Sequence, residues 1–266
     1  MNSLKLYWMK EMTILETFRN IHLLQIGCGG TGSWLVPSVS KLANNIYLRL
    51  TDTETIYYTI VDFDIVEEQN ILRQNFSEWD IGKNKAQALV NRYCYNFNEL
   101  TCKNKQVQTI TNMYKLFNYQ FSDNLNLLII LLGCCDNNKT RHLMLKFAKS
   151  VTKKFPKIAC VYIDSGNLLY NGQIITQAFN YPKENQTKLV FEKKKRKKKL
   201  DFKKMFPIDD VQDTQQSCEF FGDQSQAINN LAAALMFCNL QKILIMSELP
   251  PELITFNSSG YSTFDI

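Results

Sequence analysis

The chain has 266 residues, a formal net charge of +6, 45% hydrophobic residues, eight cysteines and two histidines. This length is sufficient for one large α/β domain, and no segment approaches the roughly 20 apolar residues that span a bilayer. Without a signal-peptide core we expect a cytoplasmic protein with reduced thiols and no membrane contact, and the two histidines argue against His-based hydrolase triads.

The first predicted unit is a strand, a glycine-rich turn and a helix. The apolar run Ile21–Ile26 predicts a buried strand, and a helix is expected over Thr31–Leu42, with Pro37 kinking it or restricting its start. Between them, Gly27 allows the tight turn. Gly29 and Gly30 lack side chains, so that a phosphate can approach the backbone, and Gly32 allows the helix to pack closely on the strand. The G-x-G-x-x-G spacing alone is a weak signal, and a turn without a ligand is the alternative.

The second strand is predicted over Thr55–Val61 and ends at Asp62. A carboxylate at that point can accept hydrogen bonds from ribose hydroxyls, and Asp64 is the alternative for this role. The spacing from the glycines exceeds the usual value of about 20 residues. We interpret Asn45–Glu54 as a hairpin-type insertion that accounts for the excess.

Asn70, Arg73 and Lys85 follow the second strand and supply a polar anchor and two cations. A dinucleotide oxidoreductase has no need of two cations here. A nucleotidyl transfer does, because negative charge develops on the α-phosphate and on the departing pyrophosphate. Taken singly, each cation is better explained as a solvated surface residue.

The run Leu127–Leu132 predicts a parallel strand, after which Asp136 lies where ligands bind in open α/β sheets. Such an aspartate can hold Mg²⁺ on triphosphate oxygens. The alternative is that Asp136 caps the helix predicted over Lys139–Ser150, although Asn138 could cap it instead.

Together these segments resemble the ThiF/MoeB family of adenylyltransferases, whose fold is shared with ubiquitin-activating enzymes. The resemblance covers Ile21 to about Phe179. The matching segments are Gly27–Gly32, Asp62–Asp64, Val66–Gln74, Ile81–Lys85, Cys135–Asn137 and Ser165–Ile174.

The resemblance implies a doubly wound, mostly parallel Rossmann-like α/β sheet with a crossover loop and a C-terminal helix. It also implies binding of ATP and Mg²⁺ and attack of a carboxylate on the α-phosphate. The product is an acyl-adenylate, usually on the C-terminal glycine of a ubiquitin-like or sulfur-carrier protein. By position, Asp62 would hold ribose, Asn70, Arg73 and Lys85 the phosphates, and Asp136 the metal.

The chain departs from the family in two respects. Met1–Thr17 lacks the Arg-rich segment that reaches across a dimer, although a homodimer is still expected. The eight cysteines form no C-x-x-C pair, so no structural zinc is expected.

The residues after position 180 contain a basic run, Lys193–Lys199, with seven of the chain's positive charges. We predict a 1–180 ATP-binding adenylation core, a flexible basic crossover loop at 181–216, and a 217–266 segment that completes the same domain with a helix and a strand. We favour a solvated loop for the basic run, because like charges repel. Nucleic-acid binding through phosphates and docking of an acidic partner are the alternatives.

A long helix is predicted over Gln224–Ser247. Cys218 precedes it, and a helix N-terminus favours a thiolate, so Cys218 is a candidate to receive the acyl group as a thioester; a buried structural cysteine is the alternative. This region resembles, more loosely, the ThiF-like proteins of bacterial plasmid-borne PRTRC-type clusters. The alternative functions are a tRNA-modifying adenylating dehydratase of the same family, a catalytically silent ATP-binding scaffold and an NAD(P)-dependent oxidoreductase.

Overall fold

The structure is a computed structural model that describes residues 14, 17–51, 54–181 and 225–264. Within these residues, eight strands form one sheet in the order β3-β2-β1-β4-β5-β6-β7-β8. Their bounds are β1 (Asn20–Ile26), β2 (Thr55–Val61), β3 (Leu100–Lys103), β4 (Leu127–Gly133), β5 (Ile158–Asn167), β6 (Asn171–Phe179), β7 (Leu253–Asn257) and β8 (Gly260–Phe264).

The first five strands are parallel, and the last three extend the sheet in antiparallel fashion. All seven residues of β4 are buried, as expected for a central strand covered on both faces. The register pairs Ile26 of β1 with both Val61 of β2 and Gly133 of β4. The carboxyl ends of these three strands therefore lie side by side.

Helices cover both faces of the sheet. Their bounds are α1 (Gly30–Tyr47), α2 (Glu68–Ile71), α3 (Lys85–Tyr93), α4 (Ile110–Tyr114), α5 (Asn138–Lys154) and α6 (Gln226–Leu244). Leu23 belongs to a core with α1, α3 and α6, whereas its neighbour Leu24 belongs to a second core with α4 and α5. Successive residues of a strand point to opposite faces, so one central strand contributes to both cores. The doubly wound, mostly parallel α/β fold predicted from the sequence is confirmed.

Two details of the predicted elements are wrong. The part of Asn45–Glu54 that the structure describes, residues 45–51 and 54, forms no hairpin, because α1 continues to Tyr47 and is followed by a turn. Pro37 lies inside α1 and does not restrict where it begins, while the alternative that it kinks the helix stays a prediction.

A side chain compensates for the proline. Pro37 has no N–H, so the carbonyl of Ser33 four residues earlier loses its helical partner. Asn75 Nδ2 lies 3.2 Å from that carbonyl oxygen and donates to it, and the backbone N–H of Asn75 donates to Ser33 Oγ at 2.9 Å. The helix therefore continues through Pro37 with this carbonyl satisfied from outside.

No helix of the described residues is long and apolar enough to cross a bilayer. Most of the predicted crossover loop, including Lys193–Lys199, and Cys218 lie outside the described residues. The three-part division of the chain stays a prediction.

Candidate nucleotide-binding site

The glycine turn connects β1 to α1 and lies against the end of β4. The Gly27 N–H donates to Val61 O at 2.9 Å, and the Cys134 N–H donates to Ile26 O at 2.8 Å, so the turn is held between β2 and β4. Gly27 has φ +100°, and a Cβ there would lie 2.3 Å from Cys134 O. Only glycine fits this position without a shift of the neighbouring backbone.

The other glycines of the turn differ in what surrounds them. A Cβ at Gly32 would lie 2.1 Å from Gly27 O, so this glycine allows α1 to pack on the turn. A Cβ at Gly29 would meet only Gln74 Nε2, at 3.9 Å. Gly29 is also the N-cap of α1, where no side chain caps the helix and no acidic residue occupies the first turn. The first N–H groups of α1 and its positive end are thus suited to an anion.

Asp62 lies beside this turn. Its Oδ2 accepts from the Cys28 N–H at 2.6 Å, and its Oδ1 accepts from the Asp64 N–H at 2.9 Å. Burial raises the pKa of Asp62, and these two hydrogen bonds oppose the rise. Since each carboxylate oxygen has two accepting lone pairs, both oxygens keep capacity for a hydroxyl donor such as ribose.

Lys85, the first residue of α3, is buried, with its Nζ 3.3 Å from Asp64 Oδ2. Burial raises the pKa of both Asp62 and Cys28, and the charge of Lys85 opposes both rises, so the cation acts on the glycine turn. Asp64 is half exposed, with 49% of its side chain accessible, and such a pair is weak. A phosphate arriving at this position can therefore compete with Asp64 for Lys85.

Asn70 is buried in the capping box of α2, where its Oδ1 accepts from the Glu67 N–H at 2.9 Å. Its carbonyl oxygen accepts from the N–H groups of Arg73 and Gln74 at 3.3 and 2.8 Å. Asn70 thus shapes the turn that carries Arg73.

The backbone of Arg73 is fixed although its guanidinium is uncommitted. The carbonyl oxygen accepts from Trp34 Nε1 at 3.2 Å and from Asn229 Nδ2 at 3.4 Å. Among the residues that the structure describes, no carboxylate forms an ion pair with Arg73. A planar cation with five donors is left for an external anion.

Asp136 follows β4 and is exposed. The N-cap of α5 is Asn137, whose side chain accepts from the Thr140 N–H at 2.8 Å, so neither Asp136 nor Asn138 has the capping role. The described residues contain no group of three or more His, Cys, Asp or Glu side chains that could hold a metal. One carboxylate fits Mg²⁺, which keeps several waters and is completed by substrate phosphates.

A buried ion pair supports the loop that carries Asp136. Arg141 Nε lies 3.1 Å from Asp164 Oδ2, and Arg141 Nη2 donates to Cys135 O at 2.7 Å and to Ser165 O at 3.0 Å. Burial raises the pKa of Asp164 to about 7 against the opposing effect of Arg141. Sequence analysis missed this pair; a cation at the start of a helix, where the dipole disfavours it, was the available signal.

The cysteines near the turn are unsuited to nucleophilic chemistry. Burial raises the pKa of Cys28 and Cys134, and that of Cys135 to about 12. A thiol in this state is not the reactive thiolate. Cys218 therefore stays the candidate acceptor from the sequence.

Comparison with solved structures finds chains with a similar fold. The crystal structure of E. coli MccB with AMPCPP and MccA aligns with a TM-score of 0.58 and 18% identity, over 95% of this chain and 65% of that chain. MccB with ATP aligns with a TM-score of 0.56 and 18% identity, over the same shares. PaaA aligns with a TM-score of 0.53 and 14% identity, over 94% of this chain and 65% of that chain.

The chain thus spans slightly less than two-thirds of the length of these structures, and at such identities the likeness establishes the fold. A comparison with curated proteins found no match. A sequence profile of the ThiF family matches residues 4–264. Because this match covers nearly the entire chain, the protein belongs to the ThiF family.

Proposed function

We propose that this protein is an ATP-dependent adenylyltransferase that activates a carboxylate. The observation that carries the proposal is the shared edge at the ends of β1, β2 and β4. At this edge, β1 leads into the uncapped start of α1, β2 leads into Asp62, and β4 leads into the Asp136 loop. Membership of the ThiF family and the likeness to MccB, which has been solved with ATP, support the same reading.

In the proposed reaction, a substrate carboxylate oxygen attacks the α-phosphorus of ATP. The new acyl–O–P bond forms as the bond to the bridging oxygen breaks, and the electron pair leaves with pyrophosphate. No general base is needed, because a carboxylate is already ionised near neutral pH. Asp62 holds ribose, the first turn of α1 holds phosphate, and Arg73 and Lys85 stabilise the charge that develops.

Asp136 would hold Mg²⁺, with Asn70 shaping the neighbouring phosphate site. When bound, the metal neutralises triphosphate charge and polarises the phosphorus. The carboxylate we propose is the C-terminal glycine of a ubiquitin-like or sulfur-carrier protein, bound by a homodimer. MccB has been solved together with MccA, which supports a peptide or protein partner for this chain. Passage of the acyl group to Cys218 as a thioester is a further part of the proposal.

Exchange of labelled pyrophosphate into ATP tests the chemistry. The wild-type protein, given Mg²⁺ and carrier proteins ending in Gly-Gly, should catalyse the exchange. Arg73→Ala should lower the rate by about 100-fold or more, on the scale of losing one transition-state donor. Arg49→Ala is the matched control, because Arg49 is exposed just beyond the other end of α1 and should leave the rate unchanged.

Three outcomes would contradict the proposal. Tight binding of NAD(P) without binding of ATP would favour an oxidoreductase. Binding of ATP without exchange for any carrier would favour a silent scaffold. Equal rates in Arg73→Ala and the wild type would remove Arg73 from the mechanism.

A further inference from the structure

Four side chains and one carbonyl group connect the C-terminal helix α6 to the glycine turn and to Arg73. Thr31 Oγ1 donates to Asn167 Oδ1 at 3.1 Å, and Asn167 Nδ2 donates to Asn229 Oδ1 at 2.5 Å. Asn229 Nδ2 then donates to the carbonyl oxygen of Arg73 at 3.4 Å, where Trp34 Nε1 donates as well. The connection joins the start of α1, the end of β5, the first turn of α6 and the Arg73 turn.

Asn229 is the central member of this connection. Its side chain is completely buried, and a buried amide is costly unless its polar atoms are paired. A Cβ at Gly30 would lie 2.6 Å from Asn229 Nδ2 and 2.8 Å from its Oδ1. The amide therefore packs directly on the first residue of α1 and also holds Arg73, two parts of the proposed phosphate site.

The orientation of Arg73 depends on its backbone. Its guanidinium has no ion-pair partner among the described residues, so no side-chain contact of that kind aims it. The carbonyl is instead held by two donors, one from α1 and one from α6. A displacement of about 1 Å at a catalytic group can lower a rate by roughly 100-fold. Loss of one donor to the Arg73 carbonyl should therefore lower the rate of the chemical step in addition to the stability of the protein.

We infer that Asn229 is a positioning residue that sets Arg73 against the start of α1. This inference rests on the proposed adenylation, because Arg73 acts there on the phosphates. Asn229 acts on the nucleotide through residues of the proposed site that it contacts, Arg73, Gly30 and Asn167. Its removal should lower the rate of the chemical step more than it weakens binding of ATP.

Asn239 supplies a matched control on the same helix. It is also buried, with 1% of its surface exposed, and its Nδ2 donates to Thr176 Oγ1 of β6 at 3.1 Å. Asn239→Ala removes an equivalent buried amide whose hydrogen bond goes to β6 instead of to Arg73. Any effect of Asn229→Ala that Asn239→Ala does not share is therefore specific to the connection with Arg73.

The test combines amide hydrogen exchange of the nucleotide-free protein with pyrophosphate-exchange kinetics. Asn229→Ala should speed hydrogen exchange in residues 72–76 by about tenfold, because local opening of the turn becomes easier. It should lower kcat by about 10- to 100-fold, with a change in KM for ATP below about threefold. Asn239→Ala should change neither measurement.

Trp34→Phe provides a second variant if Asn229→Ala fails to fold. It keeps the aromatic packing, removes the other donor to the Arg73 carbonyl, and should change both measurements in the same direction. Equal hydrogen exchange in Asn229→Ala and Asn239→Ala, or an unchanged kcat in Asn229→Ala, would overturn the inference. Failure of the wild type to bind ATP overturns the proposed function instead, and the hydrogen-exchange comparison still decides whether Asn229 holds the Arg73 turn.

Discussion

Substitution of alanine for Gly27 and for Gly82 should separate two effects of a side chain at a glycine. Both residues have positive φ, +100° at Gly27 and +81° at Gly82. A Cβ at Gly82 would meet no atom within 4 Å, whereas a Cβ at Gly27 would lie 2.3 Å from Cys134 O and 2.5 Å from Cys134 C. The two substitutions share the backbone strain, but only Gly27→Ala adds a collision.

The expected magnitudes follow from that difference. Left-handed backbone costs a non-glycine residue about 1–2 kcal/mol, which is the whole effect expected for Gly82→Ala. At Gly27 the colliding atoms are backbone and cannot rotate away, so the ends of β1 and β4 must separate. That movement weakens the 2.8 Å hydrogen bond from the Cys134 N–H to Ile26 O. With the same about 1–2 kcal/mol for the backbone, about 1 kcal/mol for the bond and about 1–3 kcal/mol for strained packing, we expect Gly27→Ala to lose about 3–6 kcal/mol.

Urea unfolding followed by circular dichroism measures both free energies of unfolding. The m-values should match the wild type, so that differences in midpoint report stability. If the two variants lose the same free energy to within about 0.5 kcal/mol, the close approach of Gly27 to β4 has no energetic effect and the reasoning is refuted.

The remaining predictions concern pH and covalent chemistry. Burial raises the pKa of Asp164 to about 7 in the folded protein, against about 4 when unfolded, so folding binds a proton. The free energy of unfolding therefore falls as the pH rises from about 4 to about 7, by up to about 1.4 kcal/mol per pH unit. Asp164→Asn should remove this slope from unfolding free energies measured across that range. Burial lowers the pKa of His22 to about 3, so the stability that the neutral ring contributes above pH 6.5 is lost as the pH falls toward 3. His22→Gln should reduce that loss in the same measurement. A pH slope equal to that of the wild type would contradict this assignment. Cys218→Ser should leave pyrophosphate exchange intact but abolish any reductant-sensitive adduct seen on a non-reducing gel, and survival of the adduct would exclude Cys218 as the thioester residue.

The central strands and the glycine turn were predictable because their signals are local. Apolar runs at Thr55–Val61 and Leu127–Leu132 predict strands, and the structure has them there, the second one residue longer. Helix ends were less accurate: Thr31–Leu42 was predicted, whereas α1 spans Gly30–Tyr47. The Pro37 restriction failed because a side chain distant in sequence, that of Asn75, satisfies the carbonyl that the proline leaves unpaired.

The contacts that the supporting residues of the candidate site make were not predictable from local pattern. Asn229 donates to the carbonyl of a residue 156 positions earlier, and Arg141 pairs with Asp164 on another strand. Neither contact leaves a periodicity or a spacing in the sequence. Asp62, Arg73, Lys85 and Asp136 were singled out by residue type and position, and their roles toward a nucleotide stay predictions.

The proline within α1 has a consequence for how the arginine-bearing turn is attached. In an uninterrupted helix the Ser33 carbonyl would accept the helical N–H, and another donor would have to share that oxygen. Since Pro37 leaves this oxygen without its helical donor, Asn75, two residues beyond Arg73, can donate to it and attach the turn to α1. Replacing Pro37 with alanine, a change that normally strengthens a helix, would set the restored helical bond in competition with the Asn75 hydrogen bond and loosen the turn.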